Sequence, residues 1–187
     1  MRRWQLALPL GTLSRRLPPR LLTLRGLTTP RVQAAMFRTL WNGWTTAARF
    51  QKNGCCVLAC SSSAEDRVEH YCHCPFFVNL VTVWLGLENR LASLAGFLLT
   101  ADSMSNRDIA LMAVAVYAMH RATAHYRQAT SPCPEQVRDF LQATCQNAVR
   151  GHRQSSVFLD DAIRRRHILH SPCPDSRRSR SPRRRPG

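Results

Sequence analysis

The stretch "SNRDIALMAVAVYAMHRATAHYRQ", Ser105 to Gln128, decides how the chain is read. Ser105 followed three residues later by Asp108 is a capping box, in which each side chain satisfies a backbone N–H that the first helical turn leaves orphaned. No Gly or Pro follows until Pro132, so one long helix is predicted over Asn106–Gln128. Its first half is apolar on every side and its second half, "HRATAHYRQ", is polar. A helix apolar all round is buried on all faces, so the first half belongs in a core and the second emerges into solvent.

Working outward, Pro134 opens another helix in which Val137, Phe140, Leu141, Thr144, Cys145 and Ala148 keep a three-to-four spacing until Gly151 ends it. On the amino-terminal side, Thr29-Pro30 starts a helix near 31–41, with Val32, Ala35, Met36 and Leu40 on one face. Asn42-Gly43 interrupts it, and a second short helical piece is expected over Trp44–Phe50. Apolar segments follow at Pro75–Gly86 and Arg90–Leu99. Strand signals are weak throughout and no internal repeat is present. The expected fold is all-α: a basic leader over 1–29 without order, a helical domain over 30–153 carrying a Cys/His loop at 55–75, and a basic Arg/Ser/Pro tail over 154–187 that cannot bury a core.

The 187 residues suffice for one domain. The net charge of +16 is unevenly placed. Residues 1–50 hold nine arginines and no acid, 51–160 hold nine basic and nine acidic residues, and 161–187 hold nine basic and two acidic ones. The middle is an ordinary globular composition, and the ends suit a polyanion such as nucleic acid. Only Lys52 among the 27 basic residues is not arginine, which favours bidentate phosphate contacts but equally fits a GC-rich coding bias. No apolar run reaches the roughly 18–20 residues that cross a bilayer. The first 29 residues, rich in Arg, Leu, Ser and Thr without acid, have the composition of an organellar transit peptide, although Pro18-Pro19 interrupts a continuous amphipathic helix there.

The chemistry lies in "CCVLACSSSAEDRVEHYCHC", Cys55–Cys74, which gathers five cysteines and two histidines. Zinc takes four thiolate or imidazole ligands, delivered by sequence as two close pairs across a loop. Cys56 with Cys60 and His70 with Cys74 make such pairs, each with three intervening residues, and nine residues separate them. If "EHYCHC" is helical or tightly turned, His70 and Cys74 share a face while Cys72 and His73 point elsewhere. Cys55, Cys72 and His73 are then spares. Free thiols and disulfides are the other readings, the latter needing an oxidising compartment.

Other sites are weaker. No phosphate loop, His-Glu-x-x-His or Gly-x-Ser-x-Gly occurs, and the deaminase pattern is missing. His120 and His125, five apart, are expected on the surface. Trp41, Trp44 and Trp84 could stack on bases but by spacing belong to a core. The Arg/Ser tail would bind phosphates without sequence preference, and phosphorylation would lower its charge.

The flanking text adds a resemblance. "FRTLWNGWTTAARFQ" (Phe37–Gln51), "CVLAC" (Cys56–Cys60), "EDRVEHYCHCP" (Glu65–Pro75) and "ALMAVAVYAMHRATAHYR" (Ala110–Arg127) together resemble the zinc-binding region that follows the polymerase domain in reverse transcriptases of non-LTR retrotransposons. Both pairs depart in spacing from that family's commonest form. The resemblance spans roughly 30–127 and implies structural zinc on Cys56, Cys60, His70 and Cys74, a nucleic-acid partner, and apolar helices after the loop. It implies no polymerase. "FLDD", Phe158–Asp161, has the form of a catalytic turn, but it follows the zinc region and leaves no room for a palm.

The leading expectation is therefore a zinc-binding, nucleic-acid-binding remnant of such an enzyme, without catalysis of its own and located in the nucleus or cytoplasm, acting alone or within a parent polyprotein. The alternative is a small helical protein with free thiols, imported into a mitochondrion or plastid with loss of its leader.

Overall fold

The computed structural model of the chain describes residues 10–61, 63–128 and 132–170. Among them are eight α-helices: α1 (Leu10–Leu27), α2 (Pro30–Leu40), α3 (Val68–Tyr71), α4 (Pro75–Asn79), α5 (Leu94–Phe97), α6 (Asn106–Tyr126), α7 (Pro134–Val149) and α8 (Arg153–His170). No strand occurs among the described residues; a single antiparallel bridge joins Cys55 and Glu65. The protein is all-helical, with its Cys/His loop between α2 and α4.

Helix α6 is the central element. Ser105 Oγ accepts the Asp108 N–H at 3.1 Å and an Asp108 carboxylate oxygen accepts the Ser105 N–H at 3.0 Å, completing the capping box. Every residue from Ile109 to Val116 is buried, as an all-round apolar helix requires, and α1, α2, α5, α7 and α8 all pack on it. The helix ends at Tyr126, whose hydroxyl donates to the Gln136 carbonyl at 3.0 Å and ties it to α7.

The predicted helix near 31–41 is α2, which buries Val32, Ala35, Met36 and Thr39. Asn42 ends it with a left-handed φ of 46°. Beyond it the expected helix over 44–50 is reduced to a 3-10 turn, Ala48–Phe50. The reason is Trp44, which is driven into the core: its indole N–H donates to Thr39 Oγ1 at 2.9 Å, and its ring lies 5.6 Å from Tyr71, 5.7 Å from Phe97 and 5.3 Å from His120. Continuing the helix would carry that indole away from Thr39. The apolar run after Cys74 forms α4 and widens into a π-helical turn, Leu80–Trp84, closed by Leu85 N–H to Leu80 C=O at 2.9 Å. That turn buries Leu80, Val81 and Trp84.

The helical packing reaches past 30–153 at both ends. Residues 10–27, expected without order, form α1 through Pro18 and Pro19. Two prolines remove two helical N–H donors, and tertiary contacts compensate: Leu24 and Leu27 are buried, and the Arg20 guanidinium donates to the Leu99 carbonyl at 2.5 Å. Residues 154–170, assigned to the tail, belong with Arg153 to α8, where Ser155, Leu159 and Ala162 bury one face. The rest of the leader and tail, 1–9 and 171–187, lies outside the described residues.

His120 also departs from expectation. It stands edge-on to Trp44 and is mostly buried, whereas His125 is exposed and stacked on Phe140 at 4.6 Å. Burial, helped by Arg38 and Arg121, lowers the His120 pKa from 6.5 to about 4. The folded protein thus keeps this imidazole neutral where the unfolded chain takes up a proton. Stability from this group is complete above about pH 6.5 and is lost as the pH falls toward 4. In urea titrations between pH 7 and 4.5, the His120→Gln variant should lose less stability on acidification than the wild type. Gly96 offers a second check, because a Cβ there would overlap the Leu91 carbonyl oxygen. Gly96→Ala is expected to cost about 1–3 kcal/mol, the usual range for overpacking, read as a lower urea midpoint.

Candidate metal centre

The loop that carries the ligands is held at its base by backbone bonds. Asp66 N–H donates to Gly54 C=O at 2.8 Å and Cys56 N–H to Ala64 C=O at 2.7 Å, flanking the Cys55–Glu65 bridge. Within it, Ala59 adopts a left-handed φ of 53° and donates its N–H to Cys56 C=O at 3.0 Å. This tight turn reverses the chain and returns Cys60 toward Cys56. Leu58, fully buried, anchors the turn in the core. The second pair comes from α3, which buries Val68 and Tyr71 and leaves His70 half-buried. A turn closed by His73 N–H to His70 C=O at 2.9 Å leads to Cys74, the residue that caps α4. His70 and Cys74 therefore meet across a turn between two short helices and do not share one helical face.

Cys56, Cys60, His70 and Cys74 converge, with one ligand atom from each lying within 4.8 Å of all the others. Cys60 Sγ is 3.2 Å from His70 Nε2. Tetrahedral zinc with bonds of about 2.3 Å to sulfur and about 2.0 Å to nitrogen has ligand–ligand edges of roughly 3.5–3.8 Å, so small side-chain adjustments suffice. Three sulfurs and one imidazole are the donor set of a closed, structural zinc site, and these four residues can hold such a metal ion. Cys56, Cys60 and Cys74 are thiols not joined to one another.

The electrostatics of the group fits a cation. The hydrogen bond with Cys74 draws the Cys56 thiol down to about 4 against its burial, with His70, the Leu58 N–H and Cys60 assisting. Burial and the neighbouring Cys56 push Cys60 up to about 11, and Cys74 is driven well above the usual thiol range by its bond to Cys56 and by burial. One sulfur can thus be charged, at the expense of the other two. A dication at the centre removes that conflict, since all three can then be thiolates.

The spare residues lie apart from this group. Cys72 is buried, donates to the Glu69 carbonyl at 2.9 Å, and is pushed by burial up to about 12, which leaves it an unreactive thiol. Cys55 and His73 are exposed. Phe158–Asp161 lies within α8, where Asp161 pairs with Arg165 on the same helix at 3.0 Å and with Arg107 of α6 at 3.6 Å; the stretch is helical and forms no turn. Trp44 and Trp84 are core residues, whereas Trp41 is exposed.

Sequence reasoning passed over Asp66. It is only 1% exposed and accepts from Ala47 N–H at 2.7 Å, Tyr71 O–H at 2.6 Å and the Arg127 guanidinium at 2.8 and 3.4 Å. It joins the chain after α2, the metal loop, α3 and the end of α6 at one point. No pairwise spacing announces it, because its partners lie 19, 5 and 61 residues away.

Comparison with family models, with curated proteins and with solved structures gave no match for this chain.

Asp66 is buried while Arg127 is 30% exposed, and without the guanidinium Asp66 keeps only the Ala47 N–H and the Tyr71 O–H. Arg127→Leu is therefore expected to lower stability in urea by about 1–3 kcal/mol, the cost of leaving a buried acceptor short of a donor. Asp66→Asn with Arg127→Leu should cost less than the two single changes added, as a double-mutant cycle would show.

Proposed function

We propose that the protein is a zinc-binding, nucleic-acid-binding module without catalysis of its own, akin to the region that follows the polymerase domain in non-LTR retrotransposon reverse transcriptases. The observation that carries this reading is the convergence of Cys56, Cys60, His70 and Cys74 from two turns of one loop. Zinc there is structural. It fastens the ligand end of the loop, whose Leu58, Val68 and Tyr71 already reach the core, to the helices. Four protein ligands leave no coordination position for a substrate, which favours a scaffolding role.

Nucleic-acid binding is supported by charge. The first fifty residues contain no acid, and arginine supplies bidentate phosphate contacts. The rival reading, a leader cleaved on organellar import, is disfavoured by α1: removing it would uncover the core around Leu24 and Leu27. A nuclear or cytoplasmic setting accords with retained thiols.

Metal analysis of the purified full chain tests the assignment. One zinc per chain is expected, falling below a tenth of that in Cys56→Ser and Cys74→Ser and sharply reduced in His70→Ala, while Cys72→Ser keeps its zinc. Absence of bound zinc from the wild type, or an unchanged content in the His70 and Cys74 variants, rules the site out.

A further inference from the structure

The three grouped cysteines are not equally placed toward solvent. Cys56 and Cys74 are buried, at 5% and 0% exposure, whereas Cys60 is partly open and is followed by the exposed Ser61 and Ser63. A small oxidant arriving from solvent therefore meets the Cys60 sulfur before the other two. The loop also holds its place by means other than metal. Asp66 closes its base through the Gly54 carbonyl and the Ala47 N–H, and Leu58, fully buried, anchors the turn between Cys56 and Cys60. Loss of a metal ion would free the ligand end without opening the core.

A reactive thiol becomes a reversible switch when a second thiol can resolve its oxidised form. Two lie close by, since the sulfurs of Cys56, Cys60 and Cys74 are all within 4.8 Å of one another. Closing a disulfide brings two sulfurs to about 2.05 Å and requires their backbones to follow. Cys74 begins α4, and its carbonyl accepts the Val78 N–H at 2.9 Å, so the helix fixes its backbone. Cys56 shares one turn with Cys60, the turn that the Ala59 N–H closes on the Cys56 carbonyl at 3.0 Å. Adjustment of that single turn suffices to join them. The other buried thiols are placed elsewhere: Cys72 donates to the Glu69 carbonyl, and Cys145 lies within α7.

We propose that Cys60 is a site of oxidation by hydrogen peroxide, and that it then closes a disulfide with Cys56 and discharges the metal. The proposal rests on the zinc-binding reading above and adds a regulation to that site. The Cys60 thiolate attacks one peroxide oxygen, the O–O bond breaks, and the second oxygen leaves as hydroxide, so that Cys60 becomes a sulfenic acid. The Cys56 thiolate attacks the Cys60 sulfur, the S–O bond breaks, and a second hydroxide leaves. The two thiolates give up two electrons, and the two hydroxides take protons from solvent to become water. His70 and Cys74 are then left as two ligands, too few to retain zinc. A dithiol reductant reopens the disulfide by exchange and restores the ligand set.

Hydrogen peroxide added to the zinc-loaded full chain tests this, with zinc release followed by a zinc-sensitive dye and disulfides mapped by mass spectrometry after alkylation. One zinc is expected to leave for each disulfide formed, the bond should join Cys56 to Cys60, and the far-ultraviolet circular dichroism should keep its helical signal. Reduced thioredoxin with added zinc should restore the loaded protein. Cys60→His keeps four zinc ligands and removes the attacked thiol, so its zinc should leave at least about tenfold more slowly under peroxide. Dimedone, which traps sulfenic acids, should label Cys60 first in the wild type, a readout that does not depend on how the variant folds. A zinc-loaded chain that peroxide leaves intact, first labelling at another cysteine, a bond from Cys60 to Cys55 or Cys74, or loss of helix before loss of zinc overturns the proposal and leaves the metal site standing. Release from a zinc-loaded Cys60→His variant as fast as from the wild type does the same. A wild type purified without zinc overturns the metal reading and this proposal together.

Discussion

A carboxylate placed almost wholly out of water needs partners for its lone pairs, and Asp66 finds four donors on three residues, Ala47, Tyr71 and Arg127, from separate parts of the chain. An unsatisfied buried charge would cost several kcal/mol, so these partners must be present together or the arrangement is lost. That makes Asp66 a cooperative joint. It stops the chain after Trp44 at Ala47, holds Tyr71 and with it α3, and receives Arg127 from the end of α6. Tyr71, locked by Asp66, also packs against Trp44 at 5.6 Å, so the polar joint and the aromatic core share a member.

The metal group depends on this joint. Cys60 lies before Asp66 and His70 after it, so the distance between the two ligand pairs is governed by how Asp66 seats the intervening backbone. Its own N–H bonds to Gly54 and its C=O receives the Ala48 N–H at 3.2 Å, which closes the loop base from both sides. Gly54 is confined for the same reason: a Cβ there would stand 2.8 Å from that of Ala47. A zinc ion would then act on a loop already folded around a buried ion pair, tightening the ligand end while Asp66 holds the base.

What was legible in the sequence followed local rules. The capping box at Ser105, the all-round apolar half of α6, the Pro-led start of α7 and the two ligand pairs each declare themselves within a few residues. The features missed are those whose cause is non-local. Helix α1 persists through Pro18-Pro19 because α6 and the Leu99 carbonyl lie beside it. Helix α8 had a readable stripe at Ser155, Leu159 and Ala162, but the arginines that follow it masked the stripe in composition. His120 was judged by the polar run it belongs to, although its ring faces Trp44, 76 residues earlier in the chain.

The choice among seven candidate ligands shows the same division. Spacing alone could pair either adjacent cysteine, Cys55 or Cys56, with Cys60, and backbone geometry separates them. Cys55 sits in the bridge to Glu65 and is exposed, while Cys56, one residue on, turns inward beneath Leu58. In the second pair, the cap of α4 is Cys74, which directs its side chain to the group, and Cys72 is spent on the Glu69 carbonyl. Three sulfurs brought this close in a buried setting cannot all ionise against one another without a cation, yet each is placed where only a thiolate serves as a ligand. A metal ion held by Cys56, Cys60, His70 and Cys74 would let all three sulfurs be thiolates at once.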